Sequence, residues 1–170
     1  IGKFEPDQAK TDLMGKVFTK ENKAMADDAP VKKEDIALVE KEIDADPYMS
    51  ALYQAESGRN PYAKNPNSSA KGAFQFIDST ARAMGIKDVF DISQSFEAAK
   101  RLTDSHKRMF GDDPARLYMA HYLGASVLRR LLKGEELSPD EQTQVDYLRR
   151  KALPDFMQIY AKKANDLQEV

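Results

Sequence analysis

Proline and glycine cut this chain into short helices. Asp46-Pro47, Asp113-Pro114 and Ser138-Pro139 each place a capping side chain before a proline suited to the first helical position. Ser138-Pro139-Asp140-Glu141 adds the glutamate of a capping box. Gly58, Gly85 and Gly111 stand where apolar periodicity stops, and Gly124 interrupts a further run. Between these marks apolar residues recur at helical spacing: Ile36, Val39, Ile43; Met49, Leu52, Tyr53; Phe96, Ala99, Leu102, Thr103, His106, Phe110; Leu117, Tyr118, Ala120, His121, Tyr122; and Val127, Leu128, Leu131, Leu132. Behind Ser138 come Val145, Leu148 and Leu153, and Pro154 is expected to break that helix. Phe156, Ile159, Tyr160 and Leu167 then mark a last amphipathic helix. A chain punctuated this often predicts seven or eight helices, a mainly α fold. Gly72–Ile77, short and aromatic, leaves room for at most a small β-hairpin.

The intervening stretches read as connectors. Asn60-Pro61 through Lys71 is rich in turn formers, notably Asn65-Pro66-Asn67-Ser68-Ser69. Asp78 or Ser79 is expected to cap a short helix through Met84, and Phe90–Ser95 to be a connector. Residues 1–30 are polar, with Leu13, Met14, Val17 and Phe18 at helical spacing, which fits a packing arm or a linker.

Composition narrows the function classes. A formal net charge of −2 provides no global basic field for nucleic acid or an anionic membrane. With no cysteine, disulfides and thiolate metal sites are excluded. No apolar run reaches the roughly 18 residues of a membrane span. The opening Ile1-Gly2-Lys3-Phe4-Glu5 leads into charged sequence without a signal peptide, and a start at Ile1 reads as an excised piece of a longer protein.

Glu56 is the residue with the clearest chemical potential. It lies four residues beyond Leu52 and three beyond Tyr53, so it shares their helix face. A carboxyl on an apolar face has two outcomes. It pairs with a cation, Arg59 being nearest in sequence, or it keeps its proton toward neutral pH as a general acid needs. Periodicity alone favours the pairing. Other candidates carry less. His106 and His121 have no ligand framework around them, so no metal site is expected and His106 reads as a core or helix-face residue. Gly72–Phe76 lacks the Gly-Lys-Ser/Thr of a phosphate loop. Arg129-Arg130 and Arg149-Arg150 read as solvated pairs, and most of the Tyr and Phe residues as core.

The neighbourhood of Glu56 adds a resemblance. Glu56-Ser57-Gly58-Arg59-Asn60-Pro61, then Gly72-Ala73-Phe74-Gln75-Phe76 with Ser79-Thr80-Ala81, then Ala120-His121-Tyr122-Leu123-Gly124 resemble in order and spacing the motifs of the soluble lytic transglycosylases. That family has a Glu-Ser, an Asn-Pro loop, a Gly-Leu-Met-Gln segment, a Thr-Ala helix and an Ala-Tyr-Asn-Ala-Gly motif, on a goose-type-lysozyme-like fold. The resemblance covers about residues 46–132, with a fainter likeness on to 160. It implies a lysozyme-like helical domain with an N-terminal arm over 1–45, a catalytic core over 46–135 and C-terminal helices over 136–170 packing on that core.

The resemblance also implies roles. Glu56 matches the single catalytic acid/base, and Ser57 the serine that helps hold the site. Phe74 and Gln75 match the Met and Gln that line the sugar groove. Tyr122 takes the place of the family's Asn, and His121 that of its Tyr. A tyrosine late in the domain contacts the acid in the family; Tyr147 fits that place best, with Tyr160 as the rival. Phe74 for Met stiffens an apolar wall, and Tyr122 for Asn puts sugar contacts there in question.

The implied activity is cleavage of the MurNAc–GlcNAc β-1,4 bond of peptidoglycan strands with 1,6-anhydro-MurNAc formation, with no cofactor. Hydrolysis by a muramidase on the same fold is one alternative; a non-catalytic peptidoglycan-binding or virion structural module is another. The form of the third motif resembles modules carried in bacteriophage virion proteins that open the cell wall for genome ejection. The expected setting is therefore virion-associated, acting in the periplasm, against a periplasmic or secretion-system enzyme.

Overall fold

The computed structural model describes residues 33–169. The helix expected around Leu13, Met14, Val17 and Phe18 lies outside the described residues. The described chain runs α1 (Lys33–Asp44), α2 (Pro47–Ser57), α3 (Asp78–Ala83), α4 (Ile92–Phe110), α5 (Pro114–Leu123), α6 (Ala125–Leu132), α7 (Pro139–Tyr147), a π-helical turn (Leu148–Ala152) and α8 (Leu153–Gln168). Among the described residues there is no strand. The hairpin expected near Gly72 is reduced to isolated antiparallel bridges, Lys64 with Lys71 and Lys71 with Phe76.

The centre of the fold is α2. Asp46 caps it by accepting from the backbone N–H of Tyr48 at 2.9 Å and of Met49 at 3.3 Å, with Pro47 in the first turn. Gly58, at φ 61°, ends it in the left-handed conformation that glycine adopts freely. A one-sided apolar stripe is expected, yet Tyr48, Met49, Ser50, Ala51, Leu52, Tyr53, Ala55, Glu56 and Ser57 are all buried. Small Ser and Ala residues let neighbours close in on the faces between the large side chains, so α2 is enclosed on nearly every side. Its partners are α1 and α8, while α5 packs on α4, α6 and α8.

The loop from 59 to 77 is tied down by side chains. Asn60, Asn65 and Ser68 each accept from a backbone N–H two residues on, the local bonds that make these residues turn formers. Gly72 is required here. Its φ is +82°, and a Cβ would run into the carbonyl oxygen of Val89. The short helix α3 starts one residue earlier than expected and has no side-chain cap of its own. Asp78 lies inside its first turn, where its N–H is taken by the Ser69 hydroxyl at 3.1 Å. Asp91, by contrast, is the cap of α4, accepting from Ser93 N–H at 2.9 Å. Asp78 is thus a first-turn residue and not the cap, Asp91 is a cap and not a connector, and α4 begins at Ile92.

Pro154 does not break the last helical run. The Leu153 N–H bonds back five residues to the Leu148 carbonyl, forming a π turn, and α8 restarts there. Pro154 falls in the first turn of α8, where a missing N–H costs nothing. α7 keeps the expected capping box, with the Ser138 and Glu141 side chains each accepting from the other's backbone N–H. One apolar cluster joins Ile43 of α1, Leu52 and Tyr53 of α2, Phe96 of α4, Tyr118 of α5, Leu148 and Ala152 of the π turn and Phe156 of α8. That core runs continuously across the expected edges at residues 45 and 135.

Candidate active site

Glu56 lies in the last turn of α2 and is 1% exposed. It is the one buried carboxylate among the described residues. The expected pairing with Arg59 does not occur. Gly58 and then Arg59 (φ 64°) turn the chain out of the helix in left-handed geometry. The guanidinium meets Asp44 through two bonds of 2.8 and 3.0 Å and approaches Glu40 at 3.8 Å. Arg59 also lies 4.9 Å over the Tyr53 ring. That charge cluster holds α1 against the end of α2.

The neighbour of Glu56 is instead a histidine. His121 of α5, itself 3% exposed, places Nε2 3.3 Å from Glu56 Oε1 and 3.2 Å from the Phe74 carbonyl oxygen. Its ring meets the Phe76 ring edge-on at 6.0 Å. Two tyrosines lie close enough to sense the charge of Glu56. Burial first, then the negative charge of Glu56, pushes the phenols of Tyr48 and Tyr118 well above their ordinary values. Neither hydroxyl has a hydrogen-bond partner. Tyr118 stacks face to face on Phe156 of α8 at 4.2 Å, and Tyr48 meets the same ring edge-on at 5.6 Å. Both loss of hydration and the negative end of the α2 dipole oppose ionisation of a carboxyl placed here.

The other expected site residues take more varied positions. The Ser57 hydroxyl donates to the Tyr53 carbonyl at 3.0 Å and accepts from Asn60 N–H at 3.2 Å, so it fastens the loop to the helix end. The Phe74 side chain does not line a groove. It is 0% exposed, 6.2 Å from Phe96 and 5.8 Å from Tyr53, and what it offers the site is its carbonyl. Gln75 is also buried, at φ 54°. Its amide donates to the carbonyls of Gly72 at 3.0 Å and Ala63 at 3.2 Å, bracing the turn that aims Phe74 O at His121. Tyr122 is buried with its ring 6.1 Å from Tyr118. Tyr147 is half-buried and close enough to raise the Tyr118 phenol, whereas Tyr160 stacks on the far member of the cluster, Phe156, at 6.4 Å.

Tyr48 and Tyr118 are missing from the expected site, and His121, noted only as a motif position, gains a contact with Glu56. A signal for them exists: Tyr48, Leu52 and Glu56 are spaced by four on α2, and Tyr118, His121 and Tyr122 share one face of α5. His106 lies near this cluster on α4. Burial and then the His121 charge lower it to about 4, so it is a neutral core histidine at pH 7. Among the described residues no group of three His, Cys, Asp or Glu side chains is placed to hold a metal ion. No described helix is long and apolar enough to cross a membrane.

The family model of the Transglycosylase SLT domain matches residues 36–143, from within α1 to within α7, which takes in Tyr48, Glu56, Phe74, Tyr118 and His121. Neither the curated proteins nor the solved structures compared with the chain gave a match. The family match covers well over half of the sequence, and the chain belongs to that family: a mainly α, lysozyme-like domain with peptidoglycan-cleaving activity of the lytic transglycosylase type.

Proposed function

We propose that this transglycosylase SLT domain cleaves the MurNAc–GlcNAc β-1,4 bond by intramolecular transfer, leaving 1,6-anhydro-MurNAc, with Glu56 as both acid and base. The observation that carries this reading is that Glu56 is the one buried carboxylate among the described residues. Carboxylates on α1, at the α2 cap and on α8 are committed to structural bonds. Asp44 and Glu40 hold Arg59, Asp46 caps α2, and Asp155 pairs with Lys151. A glycosidase with two carboxylates divides the work between an acid and a second group on the other face of the sugar. With one buried carboxyl, the substrate has to supply the second group.

The steps balance on that basis. Glu56 gives its proton to the glycosidic oxygen as the C1–O bond breaks, and the N-acetyl group of MurNAc stabilises the cation at C1. The resulting carboxylate takes the proton of the 6-hydroxyl as that oxygen bonds to C1. Glu56 ends protonated and no water is consumed. Burial serves the first step by favouring the neutral acid. The buried phenols of Tyr48 and Tyr118 serve the second as donors that do not ionise. Ser57 and Gln75 act by holding the backbone around the acid. Tyr122 and Tyr147 flank Tyr118.

The setting we favour is a module of a longer virion protein that opens the wall locally in the periplasm during genome ejection. It rests on the Ala120-His121-Tyr122-Leu123-Gly124 form of the third motif. The test of the chemistry is digestion of purified sacculi followed by mass spectrometry. Anhydro-muropeptides are expected. Reducing-end products would replace this reading with hydrolysis, and binding without release would replace it with a non-catalytic module. Glu56→Gln is expected to lower release by about 10²- to 10⁴-fold while leaving the thermal melt in place; retained activity removes Glu56 as the acid.

A further inference from the structure

The geometry points to His121 as the positioning residue of the acid: through one N–H it binds Glu56 Oε1 and the Phe74 carbonyl together, and so leaves Oε2 as the oxygen that carries and delivers the proton. This rests on the reading of Glu56 as the acid, and deepens it.

The argument begins with the carbonyl. Nε2 of His121 is 3.2 Å from Phe74 O, and a carbonyl oxygen only accepts. Nε2 must therefore carry hydrogen. The same nitrogen lies 3.3 Å from Glu56 Oε1. Since Nε2 is a donor, Oε1 faces it as an acceptor, and a proton on Oε1 would point at another proton. In the neutral carboxyl the proton accordingly sits on Oε2. When Glu56 gives that proton up, the N–H on Oε1 supports the carboxylate, and Oε2 is the oxygen that takes the next proton.

The surroundings hold the imidazole in this role. The ring of Phe76 abuts its edge, and His106 of α4 faces it as a neutral group. Tyr118 and Tyr122 lie on its own helix and Glu56 on α2. The turn that presents Phe74 O is held by the buried Gln75 amide, whose backbone sits at φ 54°. That is a strained conformation for a residue with a side chain, and such strain persists where surrounding bonds fix it. α2, the 72–76 turn and α5 thus meet at one imidazole N–H.

Two measurements test the assignment. In ¹⁵N NMR of the whole chain, with His121 assigned through His121→Gln, the neutral imidazole is expected as the Nε2–H tautomer. Glu56→Gln should displace its Nε2 resonance more than that of His106. An Nδ1–H tautomer, or an unmoved resonance, overturns the inference whether or not the chain releases muropeptides. In sacculus digestion, His121→Leu removes the donor and is expected to lower kcat about ten- to a hundredfold with KM little changed. It should also move the alkaline limb of the pH–rate profile upward, because the carboxylate has lost a donor. His121→Gln keeps an amide N–H at similar reach and should recover most of that loss, with the limb restored. Equal loss in both variants, or none in either, overturns the positioning role. A wild-type chain that releases nothing refutes the proposed reaction, and the tautomer then decides the inference alone.

Discussion

Replacing Tyr118 with Phe separates what this site costs the fold from what it gives the chemistry. The Tyr118 ring is 0% exposed and stacks on Phe156 at 4.2 Å with the planes 5° apart, contacts that a phenylalanine keeps. Its hydroxyl is buried without a partner. A buried polar group left unpaired costs about 1–3 kcal/mol, so Tyr118→Phe should stabilise the domain by about 1 kcal/mol. For a chain of this size that raises Tm by about 2–4 °C. Activity should move the other way. The phenol is held well above its ordinary pKa, so it keeps its proton and can only donate to negative charge forming nearby. A hydrogen bond to a charged group is worth about 1.5–3 kcal/mol, which makes the expected loss of rate about ten- to a hundredfold. The assay is a thermal melt beside muropeptide release at saturating sacculi. A Tm that falls by several degrees would show that the hydroxyl is satisfied in the fold. A raised Tm with unchanged rate would show that it has no part in the chemistry, and either result refutes the reasoning.

Three further outcomes follow from other contacts. Gly72→Ala puts a Cβ against the Val89 carbonyl at φ +82°; the left-handed backbone alone costs about 1–2 kcal/mol, and a larger loss is expected in denaturant melts, with an unchanged midpoint refuting the contact. Phe156→Ala removes the ring under both Tyr48 and Tyr118 and should cost about 3–5 kcal/mol in the same measurement; a loss below about 1 kcal/mol would mean the ring is not a core contact. His106 is lowered from 6.5 to about 4 by burial and then the His121 charge, so the unfolded chain binds its proton first on acidification. Its contribution is complete above pH 6.5 and is lost as pH falls from there through about 4. His106→Leu should flatten the stability–pH curve over that window, and an unchanged slope would contradict the burial argument.

The parts of this fold that were legible in the sequence are those decided within a few residues. Asp46, Asp113 and Ser138 each cap the helix they precede, because an N-cap needs only its own side chain and an N–H two or three residues on. Gly58 ends α2 by the same local logic. The errors arose where distant parts of the chain decide. Pro154 does forbid an ordinary helical bond, but packing of Leu148, Ala152 and Phe156 into one core keeps the chain turning, and a π turn absorbs the misfit. Arg59 follows Glu56 closely in sequence, yet α1 offers it Asp44 and Glu40 on the other side of the helix end. His121 shows the limit most clearly. Its partner Phe74 O is 47 residues away, so the sequence marks the histidine as a motif position without showing what it touches.

The position of Phe156 bears on how the activity depends on the fold. The family match stops at residue 143, before the π turn and α8. The rings of Tyr48 and Tyr118 nevertheless rest on Phe156, and both phenols feel the charge of Glu56. A buried acid keeps its proton only while water is excluded from every side of it. On the α8 side Phe156 is what excludes it, and the π turn sets the phase in which α8 delivers that ring. An extra residue in the turn rotates every side chain after it by about 100° around the helix relative to unbroken α geometry. Pro154 stabilises that break by making the unbroken helix worse. A residue that reads in sequence as a simple helix breaker thereby helps keep dry a carboxyl on the helix that α8 packs against. The C-terminal helix is accordingly part of what encloses Glu56, although it lies beyond the family match.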